Sequence, residues 1–269
     1  MAWWLALTGC TVDERADTCG DPASTSRYVV TELVFARSVD GVSSGFDLDG
    51  VENQCSVPDL VTPEGATGID NALANLIPAL ELTEAVAAEG LIQDAINEGD
   101  LLLVFEMAGV DDPMNDDCVD LSMKRAMGLP NLGADDRIES GQTFDVDPAG
   151  EQVAMGQVSL EDGYVHGEGL EMSLDVNIFD KELVFPLHNG QVDLFLDDRG
   201  LAHGTFAGGT GVDALLAVAG TEDVDPALVP LVEGLLATNA DLMPGPDGEC
   251  TQVSVTFEFQ ASVAFFYDE

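Results

Sequence analysis

The chain has 269 residues, 46% of them hydrophobic, which is enough to bury a substantial apolar core. Its 51 acidic residues far outnumber its 8 basic ones, and the formal net charge is -43. Such a charge repels the phosphates of nucleic acids and anionic lipid headgroups, so neither is expected as a direct partner. No stretch approaches the run of about 18 apolar residues that is typical of a transmembrane helix.

The acidic residues are spread along the whole chain. Because like charges repel, we expect the fold to be weak at low ionic strength and firmer where salt or divalent cations screen it. Two interpretations remain open, namely adaptation to a saline environment and a surface rich in cation sites. The even spread of the acidic residues favours the first.

The chain begins with a short, mostly apolar stretch that ends in Leu7-Thr8-Gly9-Cys10. These four residues resemble the lipobox of bacterial lipoproteins, in which the cysteine is lipidated and becomes the new N-terminus. The resemblance implies an exported protein anchored to the cell envelope through lipid on Cys10, in the periplasm or on the outer surface, with no other membrane contact. The polar residues 11–26 are typical of a tether. The stretch is short and lacks a basic residue, which favours a true start upstream of Met1.

The globular part is expected to be one β-rich domain over residues 27–269. Residues 28–36 are rich in Val, Phe and Leu and predict its first strand. A polar loop follows over residues 40–67. Loops this long inside compact domains are usually functional or are held by a metal or a disulfide.

This loop carries the best candidate for a binding site. Asp47 and Asp49, followed by Gly50, resemble calcium loops of the DxDxDG kind, in which alternating carboxylates direct oxygens at one hard cation. The pattern departs from those loops, since no acidic residue precedes Asp47 by two positions and Ser56 stands where a bidentate glutamate is expected. The alternative is a solvated turn. The predicted calcium ligands are Asp47, Asp49, Asn53, Asp59 and Asp70.

Two segments have the apolar periodicity of helices, residues 69–98 and 211–239. Pro78 is expected to kink or divide the first, with a further break near Gly90. In the second, an apolar stripe over residues 228–236 is expected to pack into the core. Alternatively, the stripe lines a cavity for an apolar ligand. Between the two segments, the acidic loop 111–117 is interpreted as a solvated rim, with a second cation site as the alternative.

The remaining segments predict strands. Residues 101–108 are continuously apolar, and residues 251–267 alternate between apolar and mostly polar side chains. Asn189-Gly190 lies between two strand-like runs and predicts a type I′ hairpin turn. The predicted fold is therefore α+β and predominantly antiparallel β, a sandwich or open barrel with packed helices.

The chain has five cysteines. If Cys10 carries lipid, four remain for disulfides. An exported protein meets an oxidising environment, which favours disulfides. Four cysteines allow two disulfides and three connectivities. Cys118 and Cys250 each precede a strand-like run, so we mildly favour that pair, although the connectivity stays open. The predicted disulfide cysteines are Cys19, Cys55, Cys118 and Cys250.

No catalytic residue is predicted. Residues 41–45 match the GxSxG pattern around Ser43, but the motif continues into a polar loop rather than the helix that a nucleophile elbow needs. The histidines, His166, His188 and His203, lack metal-ligand spacing. The calcium-like loop, Gly-Phe-Asp-Leu-Asp-Gly with Gly-Ile-Asp-Asn, and the general character of the chain resemble uncharacterised acidic lipoproteins of marine predatory-type bacteria. That resemblance implies no activity.

These observations predict a non-catalytic, membrane-tethered surface or periplasmic lipoprotein with a binding or structural role. Its long loop is expected to be stabilised by calcium, by a disulfide or by both. A carrier of an apolar ligand is the first alternative, and a hydrolase is the second. The sequence identifies no particular protein or small-molecule partner.

Overall fold

The computed structural model describes residue 19 and residues 24–80, 88–178, 181–197, 199–219 and 229–267. The strands within these ranges are β1 Thr25–Phe35, β2 Leu60–Val61, β3 Thr67–Ile69, β4 Leu102–Ala108, β5 Asp116–Met127, β6 Gln142–Val146, β7 Gln152–Glu161, β8 Tyr164–Ile178, β9 Lys181–Leu196, β10 Leu201–Gly211, β11 Leu242–Pro244 and β12 Cys250–Phe266. The helices are α1 Ala72–Leu80, α2 Ala88–Glu98, α3 Val212–Ala219 and α4 Val229–Thr238, with a single 3-10 turn at Gln54–Ser56.

Eight strands form a closed antiparallel barrel, in the order β1, β4, β5, β7, β8, β9, β10 and β12. The wall closes because β12 also pairs with β1, with Phe35 opposite Phe257. The predominantly antiparallel β fold is thus confirmed, and a barrel is found rather than a sandwich. The barrel is closed rather than open, since an alternating pattern sets the faces of a strand but not its partner. The helices are a minor part, with α1 contacting β12 and α2 contacting β1.

Side chains fill the core of the barrel. The predicted alternation of the last strand is confirmed from Val253 to Phe259, because Val253, Val255, Phe257 and Phe259 face the core and are buried. Ser254 and Thr256 on the other face are buried as well, and Phe265 is 50% exposed. The partners of the core-facing residues include aromatic rings from other strands, with the rings of Phe206 and Phe257 centred 5.2 Å apart. An eight-stranded barrel has an interior just wide enough for side chains to fill. Each such phenylalanine contributes about 1.5–3 kcal/mol through burial.

The predicted hairpin turn at Asn189-Gly190 is wrong. Both residues lie inside β9, where Gly190 pairs with Leu170 and the register shifts before Leu187 pairs with Met172. Asn189 has a positive φ of 50°. An Asn-Gly pair supplies the left-handed backbone that a hairpin turn needs, but a β-bulge has the same need, and here a bulge forms.

Both predicted helical segments contain helices in the parts that the structure describes. Helix α1 begins at Ala72 and contains Pro78, while Gly90 lies inside α2 rather than at a break. The second segment gives α3 and α4, and residues 81–87 and 220–228 lie outside the described residues. In the apolar stripe, Val232 and Leu236 are buried against the core, as expected. Leu231 is exposed, and the first residue of the stripe lies outside the description.

The disulfides join Cys19 to Cys118 and Cys55 to Cys250. The favoured pair of Cys118 with Cys250 is therefore wrong. Cys118 lies near the start of β5, close to the segment that precedes β1. Cys55 of the long loop lies beside Cys250, the first residue of β12. Two disulfides indicate an oxidising, exported environment. The fifth cysteine, Cys10, lies outside the described residues.

Among the described residues, no helix is both long and apolar enough to cross a membrane.

Candidate metal centre

The loop between β1 and α1 is held against the outer side of β12. Gly45 lies so close to its neighbours that a Cβ there would be 2.7 Å from Cγ2 of Ile69 and 3.2 Å from Oγ1 of Thr256. The backbone N–H of Asp70 donates a 2.8 Å hydrogen bond to the carbonyl of Phe46. This contact brings the end of the loop, just after β3, beside its first turn.

Three carboxylates converge where the two parts of the loop meet. Asp47, Asp49 and Asp70 each offer an oxygen, and these oxygens all lie within 4.8 Å of one another. Asp47 is exposed, Asp49 is half-buried and Asp70 is only 2% exposed. Carboxylate oxygens gathered in this way are the ligands that calcium prefers. We call these three residues the aspartate triad.

Backbone hydrogen bonds orient each carboxylate of the triad. Oδ1 of Asp47 accepts from the N–H of Gly50 at 2.7 Å, and Oδ1 of Asp49 accepts from the N–H of Val51 at 2.7 Å. Such short-range side-chain to backbone bonds fix the turn and the direction of the carboxylates together. The other oxygen of Asp49 accepts from the side-chain amide of Gln54.

Burial and mutual repulsion raise pKa values within the triad. Burial raises the pKa of Asp70 to about 8, and the charge of Asp49 adds to the effect, while the hydrogen bond from Leu48 opposes it. Burial also raises the pKa of Asp49, and the charges of Asp47 and Asp59 raise it further. A divalent cation reverses this balance, because it favours the ionised form of every carboxylate that faces it.

Asn53 and Asp59, the other two predicted ligands, bind each other. The N–H of Asn53 donates to Oδ2 of Asp59 at 2.8 Å, and the N–H of Asp59 donates to Oδ1 of Asn53 at 3.4 Å. They stabilise the turn that carries Cys55, whose disulfide to Cys250 ties the loop to β12. The structure therefore places them beside the triad, as a brace for the loop.

Asp241 belongs to the same region and was missed by sequence reasoning. It is 4% exposed and accepts hydrogen bonds from the N–H and the hydroxyl of Ser254. Burial raises its pKa to about 6. The Ser254 hydroxyl oxygen in turn accepts a 2.7 Å bond from the N–H of Ala72, at the start of α1. The only sequence signal was an acidic residue between the apolar residues Ala240 and Leu242.

Ser43 of the GxSxG match supports the loop. Its hydroxyl donates to the carbonyl of Ser44 at 3.0 Å and accepts from the Asn71 amide at 2.9 Å. The residue is 3% exposed. These bonds tie the beginning of the loop to the residue that follows Asp70.

The histidines lie on β8, β9 and β10, each with its own partner. Nδ1 of His166 is 2.8 Å from Asp193, Nδ1 of His188 is 2.9 Å from Glu171, and the ring of His203 stacks on Phe195. Cross-strand pairs of this kind stabilise the outer face of a sheet.

In the acidic loop 111–117, the carboxylates of Asp112 and Asp116 accept hydrogen bonds from backbone N–H groups of the same segment. Asp116 accepts hydrogen bonds from the N–H groups of Cys118 and Asp111, and these bonds hold its pKa below the ordinary value. The side chains of Asp111 and Asp117 are exposed, consistent with a solvated rim.

Scans against protein-family models, curated proteins and solved structures return no match to this chain. The functional interpretation therefore depends on the residues of the site and their geometry.

Proposed function

We propose that this protein is a non-catalytic, exported module, anchored to the cell envelope through Cys10, whose long loop is held in its binding or structural conformation by one calcium ion. The observation that carries the proposal is the convergence of Asp47, Asp49 and Asp70 within 4.8 Å. Two of these residues come from the start of the loop and one from its end, so a shared cation joins both ends.

The need for a brace follows from the length of the loop. The chain leaves β1 at Phe35 and does not enter α1 until Ala72, with only the short strands β2 and β3 and one 3-10 turn between. The disulfide Cys55–Cys250 fixes its middle to β12. A cation at the triad fixes its two ends, and it replaces the mutual repulsion of three carboxylates by attraction.

Calcium suits the donors better than other common metals. The triad offers carboxylate oxygens alone, without the nitrogen or sulfur ligands that zinc and copper prefer. Magnesium demands near-ideal octahedral geometry, whereas calcium accepts six to eight oxygens in flexible arrangements. With three protein carboxylates, we expect the remaining positions to be filled by backbone carbonyls and water, and an affinity in the 10⁻⁴–10⁻³ M range of extracellular calcium modules.

The lipid anchor is the part of the proposal that rests on sequence alone. The lipobox-like residues Leu7-Thr8-Gly9-Cys10 support it, and the disulfides agree with export. Metabolic labelling of the full chain with a fatty-acid analogue in a bacterial host should label the wild type and not Cys10→Ser. Equal labelling of both would contradict the anchor at Cys10.

The alternatives receive less support from the structure. A carrier needs a lined cavity, yet Val232 and Leu236 of the apolar stripe pack against the core with the phenylalanines of the barrel. A hydrolase built on Ser43 needs a base at its hydroxyl, and that hydroxyl is bonded to Asn71 and Ser44.

A thermal melt of the full chain tests the proposal. At high salt, which screens the acidic surface, calcium at about 100 times its Kd should stabilise the wild type by about 2.7 kcal/mol. For a chain of this length, that energy raises Tm by about 5 °C or more. The increase should disappear with chelator and in Asp47→Asn/Asp49→Asn.

The matched control is Asp111→Asn/Asp117→Asn, which removes the same charge from the exposed acidic loop. It should keep the calcium-dependent increase. An increase that survives in the Asp47/Asp49 variant, or disappears equally in the control, would show that calcium acts by general screening and would overturn the proposal.

A further inference from the structure

The barrel wall has a seam between β7 and β8. These two strands pair only at Leu160 with Val165 and at Glu161 with Tyr164, next to the hairpin that joins them. By contrast, β8 pairs with β9 from Tyr164 to Ile178. Strand β7 pairs with β5 over most of its length. Beyond the hairpin, therefore, the facing edges of β7 and β8 do not form a ladder.

Two glycine bulges produce this seam. Gly156 in β7 and Gly169 in β8 have positive φ values of 85° and 77°. The register shifts beside each of them, and the register of the hairpin, if continued, places the two glycines opposite each other. A bulge bends its strand and disrupts the ladder locally. A Cβ on either glycine would meet nothing within 4 Å, so the outer face of the sheet is uncovered at both bulges.

The seam closes again below the bulges. There the backbone N–H of Ser173 in β8 donates a 2.5 Å hydrogen bond to Oε2 of Glu151, just before β7. The gap is therefore bounded at both ends, by the hairpin above and by this bond below. Bulges are frequent beside functional sites, where they redirect side chains.

A cleft of about 460 Å³ occupies the seam. Its volume lies within the range of small-molecule sites. Met155 and Val158, which belong to the inner face of β7, form its apolar floor. Gly167 of β8 lies close above this floor, where a Cβ would be 2.7 Å from Cδ2 of Leu121 and 3.4 Å from the sulfur of Met155. The residues that line the cleft are Met155, Gln157, Val158, Ser159, Glu161, Tyr164, His166 and Glu168.

The walls of the cleft carry negative charge on both sides. Glu161 stands at the end of β7 and Glu168 on β8, and both are exposed. Behind them, one oxygen of Asp193 binds both the Tyr164 hydroxyl and Nδ1 of His166 at 2.8 Å. No lysine or arginine lines the cleft. An anion is therefore repelled, whereas a cation is attracted by the two carboxylates.

We propose that the seam between β7 and β8 binds a small organic cation, an alkyl compound that carries an ammonium or guanidinium group. Its hydrocarbon part lies on Met155 and Val158, and its charged group lies on the outer side of the cleft, where Glu161 and Glu168 line it. Long cationic chains bind in this divided manner, with the stem on apolar surface and the head among polar groups. The cleft shares no residue with the aspartate triad, so this proposal and the calcium proposal are tested separately.

Agmatine, an alkyl guanidinium amine, is a suitable probe for titration calorimetry. The full chain is used with calcium at saturation and about 0.3 M sodium chloride, so that general attraction to the acidic surface is screened. We expect one saturable site in the wild type. In parallel, methyl-labelled methionine NMR should show a shift of the Met155 signal, which Met155→Leu identifies.

Three variants make the test specific. Glu161→Gln/Glu168→Gln should weaken binding by at least about tenfold, since it removes both charges that face the cation. Ser159→Trp should weaken binding as much while leaving every charge in place, because its ring fills the cleft. Glu64→Gln/Glu139→Gln, which removes two exposed charges elsewhere, should bind like the wild type.

Melting curves recorded on the same samples confirm that each variant is folded. Loss of binding in the two seam variants, with unchanged binding in the control, supports the proposal. Equal affinity in all four proteins would overturn it, as would the absence of saturable binding in the wild type.

Discussion

The backbone N–H of Leu48 donates a 2.7 Å hydrogen bond to Oδ2 of Asp70, 22 residues further along the chain. Leu48 lies between the other two members of the aspartate triad, so this bond holds Asp70 against the turn that contains them. The contact fixes the distance between carboxylates before any cation binds. A site held in this way needs little rearrangement on binding, which favours affinity.

Asp70→Asn should reverse its effect on stability according to whether calcium is present. In chelator at neutral pH we expect the variant to be more stable than the wild type, by up to about 4 kcal/mol, because Asp70 must take up a proton on folding whereas an amide is always neutral. The asparagine oxygen can still accept from Leu48. In saturating calcium the wild type should be the more stable protein, since an amide is a weaker ligand. Urea unfolding measures the free energy of unfolding in chelator and in calcium. If calcium stabilised the two proteins equally, the role of Asp70 would be contradicted.

Asp241→Asn should change how stability depends on pH. Because burial raises the pKa of Asp241 to about 6, the folded protein keeps a proton that the unfolded chain loses near pH 4. Wild-type stability should therefore fall, relative to the variant, as pH rises from about 4 to 6, and should then level off. Over this pH range, the free energy of unfolding of the wild type should fall by about 3 kcal/mol relative to that of the variant. Urea unfolding in chelator at a series of pH values measures it, and a difference independent of pH would contradict a raised pKa.

The two disulfides should differ in their effect on calcium binding. Replacing either pair by serine should cost about 2–5 kcal/mol. The closed loops differ about twofold, 99 residues against 195, which is worth only about 0.6 kcal/mol. Only Cys55→Ser/Cys250→Ser frees the metal loop, so only this variant should show weaker calcium binding by calorimetry. A similar weakening in Cys19→Ser/Cys118→Ser would show that the effect is not local.

Glu106→Gln should be among the more destabilising single changes in the barrel wall. This carboxylate is 7% exposed and binds Arg27 at 2.5 Å and Lys124 at 2.6 Å. Removing its charge leaves two cations side by side, at a cost of about 2–3 kcal/mol because both are partly exposed. Glu32→Gln, which breaks the more exposed pair with Arg137, should cost under about 1 kcal/mol.

The pH dependence gives an independent check on Glu106. Burial by itself raises the pKa of Glu106, but hydrogen bonds from Lys124 and Arg27 bring it below the ordinary value. The stability that this carboxylate contributes is therefore present above about pH 4.5 and is lost as pH falls through the lowered pKa. The difference between wild type and Glu106→Gln should shrink in acid, and a difference that grows there would be inconsistent with this assignment.

Local signals in the sequence predicted the faces of the strands and part of the site. The alternation in β12 identified the core-facing residues from Val253 to Phe259, because side chains of a strand alternate with a period of two. Asp47 and Asp49 were found through their spacing beside Gly50, a signal carried by neighbours in the chain. Asp70 was proposed as a ligand that completes the shell from the far side of the loop.

The features that sequence reasoning missed depend on contacts between distant residues. Closure of the barrel requires β1 to recognise β12, more than 200 positions away. The disulfide partners and the burial of Asp241 near the start of α1 also depend on contacts between residues that are far apart in the chain. Asn189-Gly190 was misassigned for a different reason. An Asn-Gly pair favours left-handed backbone, which both a hairpin turn and a β-bulge require.

The most direct test of the central claim is a calorimetric calcium titration of the wild type at high salt, with Asp47→Asn/Asp49→Asn as the comparison. One site per chain in the wild type, lost in the variant, is the predicted result. Absence of a saturable site in the wild type, or an unchanged site in the variant, would contradict calcium binding at the aspartate triad.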